Sequence, residues 1–224
     1  MRRVVLLVTV VAVMSVVATG VAWAVVQKGT NGPDTLRDTN RFDTQYGKGG
    51  NDRLYGKGGT DKQYGEDGAD NLYGGVNFGS GFEHQYGGGG NDIINGGDGK
   101  DLQDGREGDD KLMGQEAEDY MFGNNGNDHL SGGPGFDVLD GGPGSDELFG
   151  GEGDDGLSSG AGPDLLVGGG GHNDISTQDG IAGNDTVDGS LGSDDCVIDR
   201  DTAPDPDLTD HYTSCEGVIF RDVP

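Results

Sequence analysis

Carboxylates recur along this chain at one fixed step. Asp34, Asp43, Asp52, Asp61 and Asp70 lie nine residues apart, and after an offset of thirteen to Glu83 the step of nine resumes. It runs from Asp92 through Asp101, Asp110, Asp119, Asp128, Asp137, Asp146 and Asp155 to Asp164. Two further units are placed at Asp185 and Asp194, with a disturbed one around Asp174, where His172 and an extra residue break the phase. Carboxylates brought into line repel one another unless hard cations stand between them. Calcium takes roughly six to eight oxygen ligands in flexible geometry, so Asp oxygens and exposed turn carbonyls suit it. Magnesium suits them less, because it prefers strict octahedral geometry and keeps its waters. Turn chemistry alone does not require Asp at a single phase so often.

The elements that must position these side chains follow from the residues around them. Gly132-Gly133-Pro134-Gly135-Phe136-Asp137-Val138-Leu139-Asp140 is one nonapeptide, and Gly141 to Phe149 and Gly96 to Asp104 repeat its grammar. Glycines at the first, second and fourth places permit positive φ and close backbone approach, so six residues form a tight turn. The last three form a short strand whose middle side chain points inward. Two units then make a coil of 18 residues, with one strand in each of two facing parallel sheets. Coils stacked ~4.8 Å apart predict about nine coils and a rod on the order of 40 Å long. One edge carries Asp92, Asp110, Asp128, Asp146 and Asp164; the other carries Asp101, Asp119, Asp137 and Asp155.

With its G-G-x-G-x-D-x-U-x units, the chain resembles the hemolysin-type calcium-binding (RTX) nonapeptide-repeat family over about 170 residues. The tail from Cys196 to Cys215-Glu216 resembles the ends of stand-alone secreted actinobacterial repeat proteins. The resemblance implies an all-β fold, a parallel β-roll (a right-handed solenoid) with a short disulfide-closed C-terminal cap. It also implies several Ca2+ ions, each shared by adjacent turns of one edge. The ligands expected are Asp34, Asp52, Asp61, Asp70, Asp92, Asp101, Asp110, Asp128, Asp137, Asp146, Asp155 and Asp164. Weaker units are expected at three places. Arg41 replaces a glycine before Asp43, which also lacks a glycine at its first place; Val76-Asn77-Phe78 widens the turn before Glu83; Ala117 strains the turn before Asp119. Fewer ions than repeats are expected.

Composition agrees with a chain that needs cations to fold. It has 48 glycines, 31% hydrophobic residues and 41 Asp and Glu against 14 Lys and Arg, for a formal charge of −27. So few apolar residues at such a charge would ordinarily leave a chain disordered. Nucleic acid is excluded as a partner. Arg2 and Arg3 precede an uncharged run from Val4 to about Val26 that contains Ala22-Trp23-Ala24. This reads as a secretory signal over residues 1–24, with an uncleaved membrane anchor as the other reading. Either places the remainder outside the cytoplasm, with a β-roll over 25–195 and a cap over 196–224. Cleavage would leave 12 basic residues against 41 acidic. Cys196 and Cys215, the only cysteines, are expected to form a disulfide in that compartment.

The inward eighth place carries Leu36, Leu54, Leu72, Ile94 and Leu112 on one sheet. On the other it carries Gln45, Gln63, Gln85 and Gln103, then Met121, Leu139 and Leu157. Two readings of the glutamines stand: an amide ladder from coil to coil, or a face thin enough for water. Outward Tyr46, Tyr55, Tyr64, Tyr73 and Tyr86 either stiffen the sheets or form a contact stripe for a glycan or protein. Gly156-Leu157-Ser158-Ser159-Gly160 matches G-x-S-x-G only by letter, since Leu157 and Ser158 are strand positions of the repeat. The four histidines show no zinc spacing. The chain is therefore read as a secreted, non-catalytic calcium-binding module. A calcium-dependent surface adhesin or a cell-wall or glycan-binding protein is the alternative, and no integral membrane role is expected unless the N-terminal segment is retained.

Overall fold

The computed structural model describes residues 24–77, 81–177, 185–192, 194–200 and 211–222. The apolar N-terminal run up to Trp23, Phe78 of the insertion, and the acidic residues Asp201, Asp205, Asp207 and Asp210 lie outside these. Among the described residues there are 21 strands and no helix. Successive strands alternate between two sheets, one of 11 strands beginning with Val26–Lys28 and one of 10 beginning with Thr35–Arg37. The pairing within both sheets is parallel, and residues 18 apart face each other, as with Gln45 and Gln63 or Leu54 and Leu72. This is the parallel β-roll, at about nine turns.

The irregular stretches leave the register intact. Across the insertion the step grows to 22, so that Gln63 faces Gln85 and Leu72 faces Ile94. Near the C-terminus it is 21, and Leu166 faces Val187. Extra residues are therefore taken up in turns, while every eighth-place side chain stays inside. A slip of one residue would turn each of those side chains to the other face.

The interior is two columns. Leu36, Leu54, Leu72, Ile94, Leu112, Leu130, Leu148, Leu166 and Val187 fill one; each is at most 1% exposed. The other changes character along the rod. Gln45, Gln63, Gln85 and Gln103 are fully buried, followed by Met121, Leu139, Leu157, Ile175 and Cys196. The glutamines form an amide ladder: Gln63 Nε2 donates to Gln45 Oε1 at 2.9 Å, Gln85 to Gln63 at 2.9 Å, and Gln103 to Gln85 at 3.1 Å. Each amide also donates across the roll to a carbonyl of the facing sheet, Tyr55, Tyr73, Asn95 and Met113 in turn. Gln27 extends the ladder by one coil. Buried amides need such partners, and the ladder supplies them until Gln103, whose Oε1 faces the Met121 coil without one.

The tyrosines stack along the same half of the rod. Tyr46, Tyr64 and Tyr86 lie ring on ring at 4.9 Å on one sheet, and Tyr55 and Tyr73 at 5.0 Å on the other. Lys28 and Arg106 close the two ends of the longer stack, and Arg37 lies over Tyr55. Ring faces stacked in this way stiffen the sheets. At the C-terminal end the strand Cys215–Asp222 pairs beside Asp194–Arg200 and completes the larger sheet. Cys196 and Cys215 are joined by a disulfide.

Candidate metal centre

Each turn brings its carboxylate to an edge of the roll, and the two edges form continuous rows. One row is Asp34, Asp52, Asp70, Asp92, Asp110, Asp128, Asp146, Asp164 and Asp185. The other contains Asp43, Asp61, Glu83, Asp101, Asp119, Asp137, Asp155, Asn173 and Asp194. Within a row, one carboxylate oxygen has a fixed task. Oδ1 accepts the backbone N–H of the acid one coil earlier, as in Asp52 to Asp70 and Asp110 to Asp128, both 2.7 Å. Each Asp that makes this bond staples the preceding turn to its own.

The second oxygen has no such task. Oδ2 of Asp52, Asp61, Asp70, Asp92, Asp110, Asp119, Asp128, Asp137, Asp146 and Asp155 is buried and accepts no hydrogen bond. Buried polar atoms are nearly always satisfied, and an isolated buried carboxylate is costly. A whole row of such oxygens therefore points to a missing positive partner. The glycines keep room for one. A Cβ at Gly141 would stand 2.6 Å from Asp146 Oδ2 and 2.7 Å from the Ser159 carbonyl. First-place glycines serve this clearance and do not need positive φ, which the second and fourth places adopt, for example Gly50 at 97°. Lys48, Lys57, Arg106 and Gln115 accept left-handed φ at the second place, and Ala117 does so at the fourth with φ of 84°. The expected strain at Ala117 is present, yet Asp119 keeps its neighbours' geometry.

The electrostatics agree. Burial pushes Asp52, Asp128 and Asp155 up to about 6, and Asp61, Asp110, Asp137 and Asp146 up to about 7. Asp92 and Asp119 are pushed up to about 8 by burial and by neighbouring row carboxylates. Asp101 reaches about 9 through burial and then repulsion from Asp119, Glu83 and Asp98. It differs from its neighbours in having both oxygens unpartnered, because Glu83 N–H turns to the Lys100 carbonyl. Glu83 itself, up to about 8 by burial, brings Oε1 to the same glycine cradle as Asp61 Oδ2, at Gly56. The longer side chain thereby keeps a carboxylate in the row despite the insertion.

Several residues depart from the sequence expectation. The disturbed unit belongs to Asn173, not Asp174. Asn173 stands nine residues after Asp164, its Oδ1 accepts Asp155 N–H at 2.9 Å, and its own N–H donates to Asp194. The phase is kept there, and the extra length falls between Asn173 and Asp185. Asn173 places an amide nitrogen where other units place Oδ2, so it cannot ligate a cation from that atom. At the N-terminal ends of the rows, Thr30 and Thr39 donate N–H and Oγ to Oδ2 of Asp34 and Asp43. Asp38, which the repeat grammar leaves out, lies buried beside Asp43 and Asp61. Ser158 ends the strand Gly156–Ser158, with no helix following, which is not the turn a nucleophile elbow requires.

Asp52, Asp61, Asp70, Asp92, Asp110, Asp119, Asp128, Asp137, Asp146 and Asp155 fit calcium by three tests: oxygen-only donors, a buried oxygen without a partner, and a glycine clearance beside each. The family model of the RTX calcium-binding nonapeptide repeat (4 copies) matches at residues 28–63, 46–77, 79–112, 96–130, 104–139, 122–157 and 157–181. No individual curated protein matches the chain. With glycine turns, in-register coils and two carboxylate rows together on a matched span of more than half its length, the chain belongs to the RTX calcium-binding nonapeptide repeat family.

Proposed function

We propose that the protein is an extracellular, non-catalytic module whose folding is driven by several calcium ions seated along both edges. Asp34, Asp52, Asp61, Asp70, Asp92, Asp101, Asp110, Asp128, Asp137, Asp146, Asp155 and Asp164 are the ligands of this reading, and the geometry adds Asp119 and Glu83. The observation that carries it is the row of buried, unpartnered Oδ2 atoms. Calcium is plentiful only outside the cytoplasm, where modules of this kind bind at roughly 10⁻⁴–10⁻³ M. The apolar run before Ala24 and the Cys196–Cys215 disulfide support the same compartment. Ions that bind only the folded rod stabilise it by mass action, and many linked sites make the transition steep. A calcium titration followed by circular dichroism tests this: a disordered chain without metal becomes β-rich at millimolar calcium. An unchanged spectrum refutes it.

A second reading, attachment to an anionic cell-surface polymer, is favoured by the distribution of charge. Between residues 24 and 64 all five acidic residues are buried at the edges. Over the same span Lys28, Arg37, Arg41, Arg53, Lys57 and Lys62 are exposed. With its edges neutralised, this end of the rod is cationic, whereas Glu66, Asp67, Asp98, Glu107 and Asp109 make the later coils anionic outside. Retention on anionic cell-wall polymer that needs calcium and is lost in Arg53→Glu/Lys57→Glu supports attachment; retention unaffected by those changes refutes it.

A further inference from the structure

The first interval of one edge is built differently from the rest. Asp38 occupies the place that Gly47, Gly56 and Gly65 hold in the following units. Elsewhere a side chain there would collide with the unit's own Asp Oδ2 and with a carbonyl of the next coil. The Asp38 carboxyl lies within hydrogen-bond reach of the Asp43 carboxyl. Thr39, at the place that Lys48 and Lys57 hold in the next units, donates its N–H and Oγ to Asp43 Oδ2, at 3.1 and 2.5 Å, while Val25 N–H holds Oδ1 at 2.5 Å. The carboxylate of Asp43 is anchored, and that of Asp38 stands beside it. Asp61, one coil on, faces both.

We propose that Asp38, Asp43 and Asp61 form a cation site distinct in kind from the others, with the Asp38 side chain as an added ligand, and that this site fills first. Three observations carry it. Ligand atoms of the three residues lie within 4.8 Å of one another. The residues are 2%, 2% and 0% exposed. Oδ2 of Asp38 and Oδ2 of Asp61 are each buried without a hydrogen-bond partner, so two of the three clustered carboxylates carry an unsatisfied oxygen. Three carboxylates attract a hard cation more strongly than the ordinary interval does, because oxygen-site affinity follows ligand charge. The excess negative charge also favours a trivalent ion of calcium-like size. Occupied, the site pins the N-terminal coils together and gives later coils a template. With Asp38 at the place that glycine holds in the next units, the chain exchanges clearance for a ligand.

This inference rests on the calcium-binding reading, and the test separates the two. Terbium and calcium are titrated into the full chain and into Asp38→Asn, with bound ions counted by equilibrium dialysis against the metal alone. Wild type is expected to show one ion held at least about tenfold more tightly than the remainder. Asp38→Asn is expected to lose that phase and leave the weaker ions unchanged. Asp38→Gly restores the residue of the other units, so it guards against misfolding, and it too should lack the tight phase. A tight phase that survives both substitutions overturns the site while calcium binding stands. A wild-type chain that binds no cation overturns both.

Discussion

Metal-free protein should respond to acid in the direction opposite to most proteins. Asp92, Asp101 and Asp119 have folded values of about 8, 9 and 8 against an ordinary 3.8, and Glu83 about 8 against 4.5. Without cations these groups must take up protons to fold, and the unfolded chain holds them ionised. Stability then falls by about 1.4 kcal/mol per pH unit per group between the unfolded and folded values. At pH 7 this amounts to about 4 kcal/mol for an aspartate and about 3 kcal/mol for Glu83 taken singly. Asp101 is raised partly by Asp119 and Glu83, so the contributions overlap and total less than their sum; two or three of them still match the roughly 5–15 kcal/mol net stability of a domain, and the ion-free rod is expected to unfold at neutral pH. The sign is fixed by the raised values: the contribution is fully present below about pH 4 and is lost as pH rises through about 9.

The assay is far-ultraviolet circular dichroism on metal-stripped, dilute protein from about pH 4 to pH 9, with proton release recorded as calcium is added. Strand content should appear in acid and vanish above neutrality, and the calcium midpoint should fall as pH rises. At about pH 5.5 calcium meets a protonated rod and should expel protons; at about pH 8 it meets an ionised chain and should expel almost none. A metal-free chain better folded at pH 8 than at pH 5, or a calcium midpoint independent of pH, refutes the argument.

Two further outcomes rest on packing. Gln63→Leu leaves Gln45 Oε1 and the Tyr73 carbonyl without their donor, and should cost about 2 kcal/mol in a calcium-loaded thermal melt. Gln103→Leu also removes an oxygen that already lacks a partner and places an apolar side chain beside Met121, so its cost should be below about 1 kcal/mol; equal losses would refute the ladder. Gly141→Ala drives a methyl to 2.6 Å from Asp146 Oδ2 and should cost about 1–3 kcal/mol and one bound ion. The matched Gly170→Ala, with its nearest atom at 3.9 Å, should stay within about 0.5 kcal/mol. Ion counting on both variants separates crowding of the cation's place from a general loss of glycine.

Much of the fold was legible because the repeat imposes one periodicity on two independent properties. Asp at the sixth place and an inward side chain at the eighth both return every nine residues, and no other parallel arrangement keeps both aligned. The glutamine column could be seen for the same reason. What escaped was decided by side-chain direction. Nothing in the spacing says that Oδ1 of each Asp holds the N–H of the coil before, which is why Asn173 can stand in the row: an amide oxygen accepts that bond as well as a carboxylate does. A search for Asp selected Asp174 instead. Asp38 was missed because the grammar assigns glycine to its place, and its closeness to Asp43 and Asp61 depends on side-chain direction that spacing does not carry. Thr30 and Thr39 act through side-chain and backbone donors to Oδ2 of Asp34 and Asp43, a direction that spacing does not carry either.

These departures mark a rod with two unlike halves. Up to Gln103 the interior of one sheet is amide, the outer face carries stacked tyrosines, and the first coils are cationic outside. From Met121 onward that interior is aliphatic. The change falls one interval beyond a break in the staples: Asp101 lacks the N–H that every intact interval supplies, and Gln103, two residues on, lacks a partner for its Oε1 toward the Met121 coil. Coils in a solenoid are stabilised chiefly by their neighbours, so a weak interval limits how far order spreads from either side. A cation between Glu83 and Asp101 would replace the missing staple with an electrostatic one. The demand for calcium is thus greatest not where the repeats are most regular, but at the Glu83–Asp101 interval, where the ladder holds the strands together and the carboxylate staple of the other intervals is lacking.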